Sequence, residues 1–187
     1  MPGDGIAPTL LLAMPQLVDP NFARSVVLLC KHGEEGALGF VVNRPVETTA
    51  GELLSLDPPP GPDRNLTVWE GGPVSPERGW LLCRNEPKSG EGFAVCDGLY
   101  MSSSQALLRH ILDGDPRECS ADRSRLILGY AGWAPGQLDQ ELTDSAWLNI
   151  PVDVDMVFTT PAEDLWLTAL RTLGVDPAAL APAPGIH

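Results

Sequence analysis

Ser25-Val-Val-Leu-Leu-Cys-Lys-His-Gly-Glu-Glu-Gly-Ala-Leu-Gly-Phe-Val-Val-Asn-Arg-Pro45 holds two apolar runs, each too short for a stable helix, around a polar segment that contains glycine. Runs of this length, bounded by turn residues, read as buried strands. Their close spacing joins Ser25–Cys30 and Leu38–Val42 into an antiparallel hairpin. Asn43-Arg44-Pro45 ends the second strand, because proline removes a backbone donor.

Working outward, Thr9–Met14 is a further short apolar run, closed by Pro15. Downstream, Leu66–Glu70 reads as a strand ended by Gly71-Gly72-Pro73, with Val74–Gly79 as the turn into a strand at Trp80–Cys83. Phe93–Cys96 and Leu99–Met101 bracket Asp97-Gly98, a dipeptide suited to a tight hairpin turn. Trp80–Cys83 and Phe93–Cys96 also read as a hairpin, with Cys83 opposite Phe93 and Cys96 too far along for a disulfide to Cys83. Ser124–Tyr130 and Trp147–Val152 complete the strands.

Four helices are expected between them. Thr49-Ala-Gly-Glu52 has the capping-box spacing before Leu53, Leu54 and Leu56, and Pro58-Pro-Pro60 stops that helix early and opens an extended loop to Asn65. Ser102-Ser-Ser-Gln105 repeats the capping spacing before the stripe Ala106, Leu107, Leu108, Ile111 and Leu112. A short helix is expected at Gln137–Leu142. The last opens at Pro161 with acids in its first turn and runs to Gly174. No repeat or linker divides the chain, so residues 1–187 read as one domain with an ordered core over about 9–174 and a flexible Ala/Pro tail over 175–187.

Twelve Lys and Arg against 25 Asp and Glu give a net charge of -13, which repels phosphodiester backbones and anionic lipid surfaces. The basic residues are scattered; Arg117, Arg123 and Arg125 come closest to a cluster, and Glu118 and Asp122 dilute them. No helix-turn-helix signature is present, so direct nucleic-acid binding is not expected. The N-terminus lacks the basic segment of a secretory signal, and no apolar run has membrane-spanning length, which makes the cytoplasm the expected compartment. Cys30, Cys83, Cys96 and Cys119 include no Cys-x-x-Cys pair and read as reduced, packed thiols.

Catalytic patterns are missing. There is no Gly-x-Ser-x-Gly elbow and no phosphate-binding glycine loop. His32 reads as a solvated loop residue beside a strand end, His110 as helical and His187 as terminal. The carboxylates Asp139, Glu141, Asp144, Asp153 and Asp155 read as a solvated face rather than a cation site. Arg24 pairs on paper with Asp19 in a turn, and Trp133 is read as packed into the core. No catalytic residue, metal ligand or cofactor is identified, and the chain is not expected to be an enzyme.

Four segments carry a resemblance: Met14-Pro-x-Leu-x-Asp-Pro-x-Phe-x-Arg-Ser-Val-Val27, His32-x-x-x-Gly-Ala-x-Gly-x-Val-Val-Asn-Arg-Pro45, Gly71-Gly-Pro-Val74 and Gly129-Tyr-Ala-Gly-Trp-x-Pro-Gly-Gln-Leu138. With Ala146-Trp147 and Leu165-Trp166, their order and spacing over about Thr9 to Gly174 resemble the YqgE/AlgH family of bacterial proteins. The resemblance implies an α+β fold in which a bent, bifurcated, mostly antiparallel sheet forms a partial barrel flanked by three or four helices. It also implies a label of transcriptional regulator, without catalytic residues or a cofactor to carry over. Combined with the charge, this points to regulation through a protein partner or small ligand. The expected surface is where the family-like segments end strands: Arg24, Asn43, Arg44, Gly71, Gly72, Gly132, Trp133 and Gln137. The competing expectation is an enzyme that uses Arg44 and the glycine-rich loop to hold a small anionic substrate.

Overall fold

The computed structural model describes residues 5–17, 19–88, 92–115 and 119–180. In chain order its elements are β1 (Thr9–Ala13), β2 (Val26–Gly33), β3 (Gly36–Val41), β4 (Pro45–Thr49), α1 (Ala50–Leu53), β5 (Thr67–Glu70), β6 (Val74–Cys83), β7 (Phe93–Cys96), β8 (Leu99–Ser102), α2 (Gln105–Leu112), β9 (Ser124–Trp133), α3 (Gln137–Thr143), β10 (Trp147–Ile150), α4 (Val154–Thr159), α5 (Ala162–Thr172) and α6 (Pro177–Leu180). The fold is α+β, and every strand pairing is antiparallel except that of β5 with β9. The contacts divide the chain into two compact units, residues 1–43 with 131–187, and residues 44–130.

In the first unit the strand order is β10-β1-β2-β3, followed by the last residues of β9. The hairpin read from residues 25–45 is present, with Val27 opposite Val41 and Leu28 opposite Phe40. Leu10, Leu11, Leu12, Val26, Val27, Leu28 and Leu29 are all fully buried, which accounts for continuous apolar runs instead of the alternation of a half-exposed sheet. Trp133, Trp147 and Leu138 pack with Leu11, Val27 and Val41 in one core cluster.

In the second unit β9 lies between β6 and β5, and β8 separates β6 from β7. Val68, Leu81, Leu107, Ile111 and Leu126 form its core, so α2 contributes the apolar stripe expected of it. The α1 cap is as read: the Thr49 hydroxyl accepts the Glu52 N–H.

Several local expectations change. Trp80–Cys83 does not pair with Phe93–Cys96; Cys83 lies opposite Tyr100 and Phe93 opposite Met101, because the Asp97-Gly98 turn folds β8 back between them. Val74–Gly79 is not a turn but the irregular first half of β6, where the register shifts and Ser75 has φ 47°. The α2 cap is Ser104 and not Ser102, since Ser102 is held in β8 and the Ser104 hydroxyl accepts the Leu107 N–H at 3.1 Å. Strand β4 and helix α4 were not expected. The Asp153 carboxylate starts α4 by accepting the Met156 N–H at 3.0 Å. Asp176 similarly caps the α6 turn through the Ala178 N–H, so part of the segment expected to be flexible is helical. Arg117, Glu118 and His187 lie outside the described residues. The four cysteines are free thiols.

Candidate functional site

In the first unit Asn43 follows β3 and ties two backbone groups together. Its Oδ1 accepts the Val26 N–H and its Nδ2 donates to the Arg24 carbonyl, each at 3.0 Å. Arg24 needs that support because it sits at φ 56°, a left-handed conformation unfavourable to a residue with a Cβ. Its guanidinium lies 4.9 Å over the Trp166 ring, while Asp19 accepts the N–H of Asn21. The expected Arg24–Asp19 pair is therefore replaced by a cation–π contact.

Trp133 and Gln137 meet at Glu141. One carboxylate oxygen accepts the indole N–H of Trp133 at 2.9 Å and that of Trp147 at 2.8 Å, and the other accepts Gln137 Nε2 at 3.0 Å. Gln137 Oε1 accepts the Ala134 N–H, which fixes the connection into α3. Phe22 stacks on Trp133 and meets Trp147 edge-on. Trp133 is 6% exposed, as its core reading requires. Gly132 stands opposite Leu38 in the ladder between β3 and β9.

His32 departs from expectation. Its side chain is 5% exposed, Nδ1 accepts the Ile6 N–H at 3.1 Å, and Nε2 lies 3.1 Å from Asp139 Oδ1. A ring that accepts at Nδ1 carries its proton on Nε2, so both nitrogens are committed to structure.

Arg44, Gly71 and Gly72 belong to the second unit. The Arg44 carbonyl accepts the Glu70 N–H at 2.9 Å, and the Gly71 N–H donates to Leu128 at 2.7 Å. Both glycines are buried. A side chain at Gly71 would collide with Ile127 and the Gly129 carbonyl, so close backbone approach explains this glycine. Thus Arg24 joins Asn43, Trp133 joins Gln137 and Arg44 lies beside the glycine pair, with the eight expected residues distributed over both units.

The second unit also holds a hollow that the sequence did not reveal. A cavity of about 600 Å³ is walled by Leu53, Leu54 and Leu56 from the α1 region, Leu81 of β6, Leu108 and Leu112 of α2, and Leu126 and Leu128 of β9. That volume lies within the range of small-molecule sites. Arg78, Arg109 and Glu77 line it with the Ser102–Ser104 segment. Ser102 and Ser104 use their hydroxyls as acceptors for the Ser104 and Leu107 N–H groups, whereas Ser103 is exposed. A smaller hollow of about 250 Å³, lined by Trp80, Phe93 and Met101, shares Ser102–Ser104. The Arg78 guanidinium lies 4.6 Å over Trp80. Leu53 and Leu54 are 45% and 46% exposed, so these leucines line the cavity and do not seal the core.

Nearby, Arg125 lies 4.1 Å over the Trp69 ring, and burial lowers its pKa to about 10. No helix among the described residues is long and apolar enough to cross a membrane.

A family model described as AlgH-like matches residues 10–178. A UPF0301 protein of Anaeromyxobacter dehalogenans is 41% identical over 202 residues, covering 99% of this chain and 98% of its own. One from Xanthomonas euvesicatoria is 41% identical over 175 residues, covering 91% and 90%. Among solved structures, the solution structure of AlgH from Pseudomonas aeruginosa matches with a TM-score of 0.76 at 36% identity over the whole of both chains. A crystal structure of a Corynebacterium diphtheriae protein matches with a TM-score of 0.73 at 20% identity, over 98% of this chain and 95% of that one, and shares the fold. The motif order along the sequence, the α+β architecture and these matches agree, and the chain belongs to the AlgH-like family.

Proposed function

We propose that the protein is a cytoplasmic regulatory binding module that acts through a protein partner or small ligand, and that its recognition site is the leucine-walled cavity of the second unit. The cavity carries this reading: a hollow of about 600 Å³ walled by leucines, with arginines, serines and Gln105 also lining it, is the form a ligand site takes. The net charge of -13 argues in the same direction, since it opposes a DNA-gripping role. A catalytic role at the Gly129–Gln137 loop is the weaker reading, because Trp133 and Gln137 commit their polar groups to Glu141 and Ala134.

The test is complementation of a strain lacking the gene. Wild type and Arg24→Ala restore the transcript profile, and Leu54→Asp, an exposed-site change that leaves the fold intact, does not. Full rescue by Leu54→Asp removes the cavity from the function. DNA binding that falls steeply with salt in fluorescence anisotropy overturns the partner- or ligand-mediated reading.

A further inference from the structure

We infer that the cavity of the second unit takes an amphiphile with an unbranched apolar chain and a single anionic head group, for which a medium-chain carboxylate is the representative. This rests on the binding-module reading above and names its ligand.

The wall decides the body of the ligand. Leucines from α1, β6, α2 and β9 meet there, and aliphatic side chains offer nothing to hydrogen-bond. Such a surface favours methylenes over a polar or heteroaromatic ring. The aromatic residues Trp80 and Phe93 line the adjoining smaller hollow instead.

The lining charges decide the head. In a chain of net charge -13, the cavity places two arginines, Arg78 and Arg109, against one carboxylate, Glu77. Neither arginine is ion-paired among the described residues. The Arg78 guanidinium lies 4.6 Å over the Trp80 ring, and a guanidinium placed over a ring keeps N–H donors for an anion. Ser103, exposed on the Ser102–Ser104 segment that the two hollows share, adds a hydroxyl. An anionic head is the group these donors satisfy.

A volume of about 600 Å³ lies within the range of small-molecule sites and suits a short-chain amphiphile.

The experiment titrates the full chain with octanoate, hexanoate, 1-octanol and octyltrimethylammonium below their aggregation limits. Backbone amide shifts at residues 53, 78, 103 and 109 report site occupancy. Octanoate binds there, and hexanoate binds about tenfold weaker, because each methylene is worth about threefold to fourfold. 1-Octanol binds roughly threefold to tenfold weaker than octanoate, since rim ion pairs are partly screened. The cation binds weakest. The Arg78→Ala, Arg109→Ala double variant reduces octanoate to the level of octanol and leaves octanol unchanged, while Leu54→Asp weakens both.

Equal binding of octanol and octanoate, or an unaffected double variant, overturns the anionic head while the cavity remains a binding site. Shifts caused at these residues by 1-octanol or octyltrimethylammonium, with none from octanoate, overturn the ligand class alone. Silence from every probe overturns this inference, and rescue of the deletion strain by Leu54→Asp overturns the binding-module reading as well.

Discussion

Glu141→Ala isolates what holds the aromatic core of the first unit. The wild-type carboxylate satisfies two indole donors, Trp133 at 2.9 Å and Trp147 at 2.8 Å, on rings that are 6% and 3% exposed. Truncation strands both donors away from bulk water, and a buried unsatisfied donor costs about 1–3 kcal/mol. Water reaching the half-buried position of Glu141 relieves part of this, which leaves about 3 kcal/mol. The Gln137 bond is exposed and adds little. For a chain of this size each kcal/mol lowers Tm by about 2–4 °C, so a fall of about 6–12 °C is expected. Glu141→Gln keeps an acceptor and loses charge assistance, for about 1 kcal/mol. Urea denaturation followed by near-ultraviolet circular dichroism of the tryptophans gives both numbers. A Glu141→Ala variant within 1 kcal/mol of wild type would show that the two indoles do not depend on this carboxylate.

Asn43→Ala removes the bonds to Val26 and Arg24 and lowers stability by about 1–2 kcal/mol, measured by the same denaturation; no change would show that the turn at Arg24 holds itself. Gly129→Ala puts a Cβ 2.5 Å from the Gly72 carbonyl at a φ of 75°, so a loss of about 3 kcal/mol or failure to fold is expected in a solubility and melting assay. Burial first, and Asp97 second, raise the Cys96 thiol above its ordinary pKa, so less thiolate is present at pH 8. Iodoacetamide therefore labels Cys96 more slowly than a small free thiol at pH 8, the rate climbs as pH passes 9, and mass spectrometry finding the reverse order contradicts the assignment.

The strands were legible wherever burial on both faces left an uninterrupted apolar run, as in Thr9–Ala13 and Val26–Leu29. Helix α4 was hidden because Val154-Asp-Met-Val-Phe-Thr159 is too short for a helical period to show, and only the Asp153 cap marks it. Three consecutive serines offered three equivalent caps for α2, and pairing of Ser102 within β8 selected the last. The expected site residues stood out as polar, aromatic or glycine positions at strand ends. The sequence cannot count their partners: Asn43 and His32 are occupied by groups distant along the chain, and Gln137 by Ala134 and Glu141 within its own turn. The cavity escaped for the complementary reason. Its wall is assembled from four separated segments, and each leucine read singly is an ordinary core residue.

Whether the cavity of the second unit holds a ligand or partner is tested inside the cell by a photoreactive amino acid placed at position 54 and, in parallel, at position 24, with adducts identified by mass spectrometry. A defined adduct is expected from position 54, suppressed by Leu108→Asp, and none from position 24. A defined adduct from position 24 with nothing at position 54 would contradict the cavity as the recognition site.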